Sequence, residues 1–139
     1  MSFITDDDYT VQTKSEILTL LDGTDDKSDL RKAELMAIDE IKSYISGRYD
    51  VAAIFNTTGD SRNMFLVMII IDFALYHLWS GRAPRNMPSH RKTRYDDALA
   101  WITDVGQGDI PTDLPALQGE ALNSEIRIYS TYIPNSNKY

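Results

Sequence analysis

The chain has 139 residues, of which 42% are hydrophobic and 25% are charged, and this is enough for one domain with a single core. Its formal net charge is −7, which argues against a surface that binds nucleic acid all over, because such affinity comes mainly from neutralising phosphates with Lys and Arg. The absence of cysteine excludes disulfides, thiolate nucleophiles and cysteine-based metal sites. The first ten residues lack the basic and apolar regions of a signal peptide, so we expect none.

Two helices are predicted in the first third of the chain. Thr13–Glu16 has the pattern of a capping box and precedes the apolar residues of Ile17–Leu21, which predicts a short helix ending at Gly23. A long amphipathic helix is predicted from about Ser28 to Gly47, a natural C-terminal residue. Its apolar stripe recurs every three or four residues and consists of Leu30, Ala33, Ala37, Ile41, Tyr44 and Ile45. Leu35 and Ile38 are expected to broaden it. The short apolar segment Val51–Phe55 is compatible with a strand or with side chains tucked under the helices.

The third predicted helix, residues 61–80, contains the apolar run Met64–Trp79. A helix that is apolar on nearly every side must be covered all round. The run would be about 24 Å long, shorter than the hydrocarbon core of a bilayer, which is about 30 Å. It also contains Asp72 and His77, so the sequence favours a buried helix over a membrane span.

The fourth predicted helix begins near Pro88 and ends at Gly106–Gly108. Its buried stripe consists of Tyr95, Leu99, Ile102 and Val105. We therefore predict an all-α fold for residues 1–110, with a short helix, a long amphipathic helix, a buried apolar helix and a second amphipathic helix. We predict an extended C-terminal arm for residues 111–139, in which only Glu125–Ile133 alternates as a strand does.

Nothing in the sequence has the pattern of a catalytic or metal site. The acidic residues of Asp6–Asp8 and of segment 22–29 lack the spacing of an EF-hand, and we interpret them as solvated loops whose charges complement helix N-termini. His77 and His90 have no partners at ligand spacing, and a hydrogen-bonded structural role is the expectation for His77. Asp72 is costly inside an apolar helix unless it is paired, and its candidate partners are Tyr95, Arg94 and Arg48. We therefore expect no catalytic residue, metal or cofactor.

Charge is distributed most unevenly on either side of Tyr95. Segment Arg82–Arg94 contains five basic residues and no acidic one, whereas no base follows Tyr95 until Arg127. Three interpretations are open: an ordinary polar surface, DNA contact by the arginines, or a contact in which the basic edge of one copy meets the acidic edge of the next. The last is a head-to-tail contact, the kind that closes into a ring. The residues proposed for an interface with other copies or a partner are Arg82, Arg85, Arg91, Lys92, Asp104, Asp109, Arg127, Tyr129 and Tyr132.

Several short motifs occur in a characteristic order. They are Ile45–Tyr49 (ISGRY), Tyr76–Trp79 (YHLW), Gly81–Pro84 (GRAP) and Arg94–Ile102 (RYDDALAWI), with Gly108 following. In this order and spacing the chain resembles the head–tail connector proteins of tailed bacteriophages, the Mu-like adaptor or head-completion type. The resemblance covers about residues 30–110.

This resemblance implies a four-helix fold with a C-terminal arm and no enzymatic activity. It implies a ring, typically of twelve subunits, that lies below the portal in the virion and surrounds the DNA channel. The implied partners are other copies of the chain, the portal protein, a tail or second connector protein, and DNA that passes without sequence-specific binding. The implied location is the head–tail junction, after synthesis in the host cytoplasm, with no membrane involved. The alternative is a small helical DNA-binding or regulatory protein that uses Arg82–Arg94.

Overall fold

The computed structural model describes residues 3–14, Leu18, Leu21, 27–82 and 84–117. Within these residues it contains four α-helices, namely α1 (Ser28–Ile45), α2 (Val51–Phe55), α3 (Met64–Arg82) and α4 (Ser89–Gln107). Short 3₁₀ helices occur at Asp6–Thr10, Gly59–Ser61 and Pro84–Asn86. The described part of the chain contains no strand, and its one β-bridge joins Tyr49 to Ala116. The predicted all-α fold is confirmed.

Helix α3 forms the centre of the core and packs against both α1 and α4. Its mean hydropathy of 1.7 and its length would suffice to cross a membrane, but 56% of the apolar stretch is buried inside the fold. The buried positions are Leu66, Val67, Ile69, Ile70, Ile71, Asp72, Phe73, Ala74, Leu75 and Leu78. The protein's own helices therefore cover most of the apolar run.

Helices α1 and α4 present the predicted stripes to α3. Five of the six stripe residues of α1 are buried, while Tyr44 lies at the edge and is 38% exposed. On α4, Ile102 and Val105 are buried together with Ala98, whereas Tyr95 and Leu99 are partly buried. The hydrophobic effect of these stripes holds the three long helices together.

Segment Val51–Phe55 is a short helix, so the strand alternative is wrong. The Asp50 side chain caps it, because Asp50 Oδ1 accepts a hydrogen bond of 3.1 Å from the backbone N–H of Ala53. Ile54 is buried, which places the apolar side of this helix against the core.

The N-terminal segment packs on the helices. Tyr9, in the first 3₁₀ helix, is fully buried, as is Ile4. Much of the first predicted helix lies outside the described residues, but the Leu18 N–H donates to the Lys14 carbonyl as in a helix, and both Leu18 and Leu21 are buried.

The chain after α4 folds back toward the end of α1. The Asp50 N–H donates to the Pro115 carbonyl (2.9 Å), and the Leu117 N–H donates to the Arg48 carbonyl (3.0 Å). Leu114 is 7% exposed and joins the core. The start of the predicted arm is thus held on the helical domain, while Glu125–Ile133 lies outside the described residues.

Candidate functional site

Asp72, the buried acid of α3, is paired with two arginines of α4. Arg94 Nε donates to Asp72 Oδ1 (2.8 Å) and Arg94 Nη2 to Oδ2 (3.1 Å), while Arg91 Nη1 donates to Oδ1 (3.1 Å). Arg91 and Arg94 are three residues apart, so both lie on the face of α4 that contacts α3. Of the three candidate partners, Arg94 is confirmed. Tyr95 instead donates to Glu40, and Arg48 donates to the Gln107 carbonyl.

Arg91 is not a surface residue. It is 5% exposed, and burial lowers the pKa of its guanidinium below the usual value. Its charge is used inside the subunit, opposite Asp72. The prediction that Arg91 is an interface residue is therefore corrected, because a side chain buried in the core does not contact a neighbouring molecule.

The basic segment Arg82–Arg94 is largely neutralised within the subunit. Arg82 forms an ion pair with Asp29 of α1, and Lys92 forms an exposed pair with Asp96 one turn along α4 (3.2 Å). With the two arginines on Asp72, four of the five basic side chains have an acidic partner in the same chain. Arg85 is exposed and has no ion-pair partner among residues 3–14, 27–82 and 84–117.

The acidic residues after Tyr95 are less compensated. Asp97, Asp104 and Asp109 have no ion-pair partner in the part of the chain that the structure describes, and Asp97 and Asp109 are exposed. The Asp113 carboxylate accepts a hydrogen bond of 2.7 Å from the Asn63 side chain. The outer side of α4 and the segment after it therefore carry negative charge.

The acidic run Asp6–Asp8 is mostly engaged in the fold. Arg62 donates two parallel hydrogen bonds to Asp8, of 2.7 and 3.0 Å, and both side chains are less than 10% exposed. These bonds hold the pKa of the Asp8 carboxyl below its usual value. Asp6 pairs with Arg31 but stays exposed, so the interpretation as a solvated acidic segment is wrong for Asp8 and holds for Asp6 and Asp7.

A second buried carboxylate, Glu34 of α1, anchors the N-terminal segment. The Tyr9 hydroxyl donates to Glu34 Oε2 (2.5 Å), and Arg31 Nη1 lies 2.7 Å from the same oxygen. Burial raises the pKa of the Glu34 carboxyl, although both hydrogen bonds act in the opposite direction. No motif in the sequence pairs Tyr9 with a residue 25 positions away, which is why this contact was not predicted.

His77 has the structural role expected of it. Its Nε2 lies 2.8 Å from Glu40 Oε1, and the Tyr95 hydroxyl donates to Glu40 Oε2 (3.1 Å). The Tyr95 ring stacks on Tyr76 with centroids 3.9 Å apart. Burial raises the pKa of Tyr95, which keeps its hydroxyl a neutral donor. Within the described ranges no three His, Asp or Glu side chains come together as metal ligands.

Exposed apolar side chains are the surface feature that sequence patterns missed. Val11 and Met64, which line one hollow, are 90% and 54% exposed, and Phe65 is 46% exposed. Leu35 and Met36 of α1 are 63% and 56% exposed. Phe65 packs on Trp101 with ring centroids 4.5 Å apart. The prediction that Leu35 broadens the buried stripe of α1 is wrong, because Leu35 lies on the outward side of that helix, whereas Ile38 is partly buried against the core.

Comparison with known proteins identifies one family. The family model described as Bacteriophage Mu, Gp36 matches residues 3–128. Searches of curated proteins and of solved structures gave no match. The match covers all four described α-helices, and it confirms the resemblance to Mu-like phage proteins. The protein therefore belongs to the bacteriophage Mu Gp36 family and is a phage structural or morphogenetic protein.

Proposed function

We propose that this protein is a head–tail connector subunit of the adaptor or head-completion type. Copies of it form a ring that joins the portal protein to the tail, or to a second connector protein, and surrounds the DNA channel of the virion. The protein acts by binding its neighbours and has no enzymatic activity. Membership of the Gp36 family and the order of the four helices support this proposal.

The observation that carries the proposal is the internal pairing of the basic segment. Affinity for DNA depends on how many phosphates a protein neutralises. Arg82, Arg91, Lys92 and Arg94 already have acidic partners in the subunit, while Asp97, Asp104 and Asp109 have none among the described residues. A ring of subunits that each carry a net charge of −7 repels phosphates and lets DNA move through its channel.

The remaining charges suggest how the ring is joined. Arg85 is exposed, and it faces the next copy's Asp104 and Asp109 in a head-to-tail contact, with Arg82 and Lys92 at the rim. The arm residues Arg127, Tyr129 and Tyr132, which lie outside the described residues, are assigned to the portal or tail contact, because Tyr is enriched at interfaces.

The direct test is electron microscopy of the purified protein mixed with the portal protein of the same phage. We expect rings of this protein seated on the portal, and fewer of them with Arg85→Glu. A folded wild-type protein that leaves the portal bare would refute the proposal.

The alternative, a monomeric DNA-binding protein, makes a different prediction. Neutralising phosphates produces affinity that falls steeply with salt, by a factor of about 10³ or more between 50 and 200 mM when six or more phosphates are contacted. We expect no such binding in a fluorescence anisotropy titration of labelled duplex DNA with the monomer. Salt-dependent binding that Arg85→Glu abolishes would favour the alternative.

A further inference from the structure

An apolar groove lies between the N-terminal segment and the first half of α3. It has a cavity volume of about 290 Å³ and is lined by Asp7, Asp8, Val11, Gln12, Met64, Val67, Met68 and Ile71. Val11, at its edge, is 90% exposed and Met64 is 54% exposed. Exposed apolar surface rimmed by polar groups is typical of interaction sites.

A second exposed apolar feature lies on α1. Leu35 and Met36 are more than half exposed, on the side of the helix opposite the buried residues Leu30 and Ile41. Lys32 precedes them by three and four residues, so its amino group lies on the same face. We call Lys32, Leu35 and Met36 the ridge, and the Val11–Met64 hollow the groove.

The groove and the ridge carry complementary charges. Asp7, at the rim of the groove, and Lys32, on the ridge, are both exposed. Neither has an ion-pair partner in the described part of the chain, whereas the other rim carboxylate, Asp8, is occupied by Arg62. The Asp7 carboxylate beside the groove is therefore complementary in charge to the Lys32 ammonium on the ridge.

The two features are too far apart to meet within one subunit. The groove is built on residues 64–71 of α3, whereas Met36 lies over a hollow lined by His77, Leu78 and Gly81, near the other end of that helix. At 1.5 Å per residue, the two regions of α3 are separated by roughly 18 Å. A ridge that fills a groove must therefore come from another copy, and two different surfaces in contact generate a ring or a filament.

We propose that the ridge of one copy inserts into the groove of the next, with Lys32 beside Asp7 of its neighbour. This inference deepens the proposed function and rests on it, since it names the surfaces that join the ring. It adds an apolar contact to the charged edges, and apolar burial supplies most of the free energy of protein association.

The absence of cysteine allows a direct cross-linking test in the full chain. Val11→Cys and Leu35→Cys variants are mixed, assembled with the portal protein and treated with a short bis-maleimide. We expect dimers linked between the two variants, no dimers from either variant alone, and a ladder of larger species from the double variant. The matched control is the double variant Asp60→Cys with Thr93→Cys. Both positions are exposed and lie on neither surface, so this variant should give no ladder.

A charge exchange tests the same contact without a cross-linker. Lys32→Glu should weaken the association constant between copies about tenfold, equivalent to about 1.4 kcal/mol, and adding Asp7→Lys should restore it. Circular dichroism and thermal melting verify that the variants fold.

Rings that form while the Val11–Leu35 pair fails to cross-link would overturn the inference and leave the connector function standing. Cross-linking of Val11→Cys to itself would also overturn it, because that indicates a symmetric contact. Wild-type protein that never assembles on the portal overturns both.

Discussion

Gly106 of α4 lies so close to Tyr44 of α1 that a Cβ atom at Gly106 would be 2.1 Å from the Tyr44 carbonyl oxygen. Glycine within a helix costs about 1 kcal/mol relative to alanine. Here that cost is offset by the approach of two backbones near the ends of α1 and α4, where Ile45 and Val105 are both buried.

Gly106→Ala should therefore destabilise the protein. Its methyl group would meet backbone, which cannot rotate away as a side chain can, so the helices must separate, at a cost of about 1–3 kcal/mol. Chemical denaturation measures the loss. Gly81→Ala in α3 is the matched control: nothing lies within 4 Å of a Cβ there, and we expect an unchanged or slightly higher stability. Equal losses for both variants would contradict the close contact.

Asp72→Asn should be among the most destabilising single changes on α3. It leaves the buried Arg91 guanidinium without its carboxylate, and removing one partner of a buried pair costs about 3–5 kcal/mol. Asp96→Asn removes the exposed partner of Lys92 and should cost no more than about 0.5 kcal/mol. The two variants are compared in urea at neutral pH, and similar midpoints would argue against an internal role for Arg91.

The Asp8–Arg62 pair gives a stability term that depends on pH. Because the folded-state pKa of Asp8 is lowered, its contribution is fully present above the unfolded value of about 3.9 and is lost as the pH falls through the lower folded value. Asp8→Asn should cost about 1.5–3 kcal/mol at pH 7. The difference from wild type should shrink below pH ~4. Asp7→Asn, at an exposed carboxylate without an ion-pair partner in the described part of the chain, is the control and should cost much less stability at pH 7.

Leu114→Ala should release the segment that follows α4. Leu114 is 7% exposed, and truncating a buried leucine costs about 2–5 kcal/mol. It is the buried apolar anchor of this segment, so its loss should loosen the segment on the helical domain. Limited proteolysis followed by mass spectrometry should detect faster cleavage between Gly108 and Leu117 than in wild type. Leu35→Ala, at an exposed leucine, should not change the rate.

Local patterns were sufficient for most of the fold. The three- and four-residue spacing in α1 predicted its buried face, and the unbroken apolar run of α3 predicted a central position. The Asp50 cap was also readable, since Asp followed by good helix formers indicates a helix start, yet the apolar content of Val51–Phe55 suggested a strand.

Apart from the pairing of Asp72 with Arg94, the long-range polar contacts could not be predicted from the sequence. The basic segment looked like a surface because its acidic partners, Asp29 and Asp72, lie outside it along the chain. Helix spacing predicts that Arg91 and Arg94 share a face. Only the packing of α4 on α3 shows that this face contacts α3 and Asp72. Five of the proposed interface residues in the described part of the chain stay predictions, namely Arg82, Arg85, Lys92, Asp104 and Asp109. The ridge and the groove were identified from the structure alone.

The segment after α4 is attached to Arg48 and Asp50 through backbone hydrogen bonds. Main-chain groups are the same whatever side chains they bear. Substitutions in the arm that suit a different partner would therefore leave its point of departure unchanged, at the end of the subunit where α1 and α4 both finish. The partner that the arm binds can therefore change between related proteins while its attachment to Arg48 and Asp50 is kept.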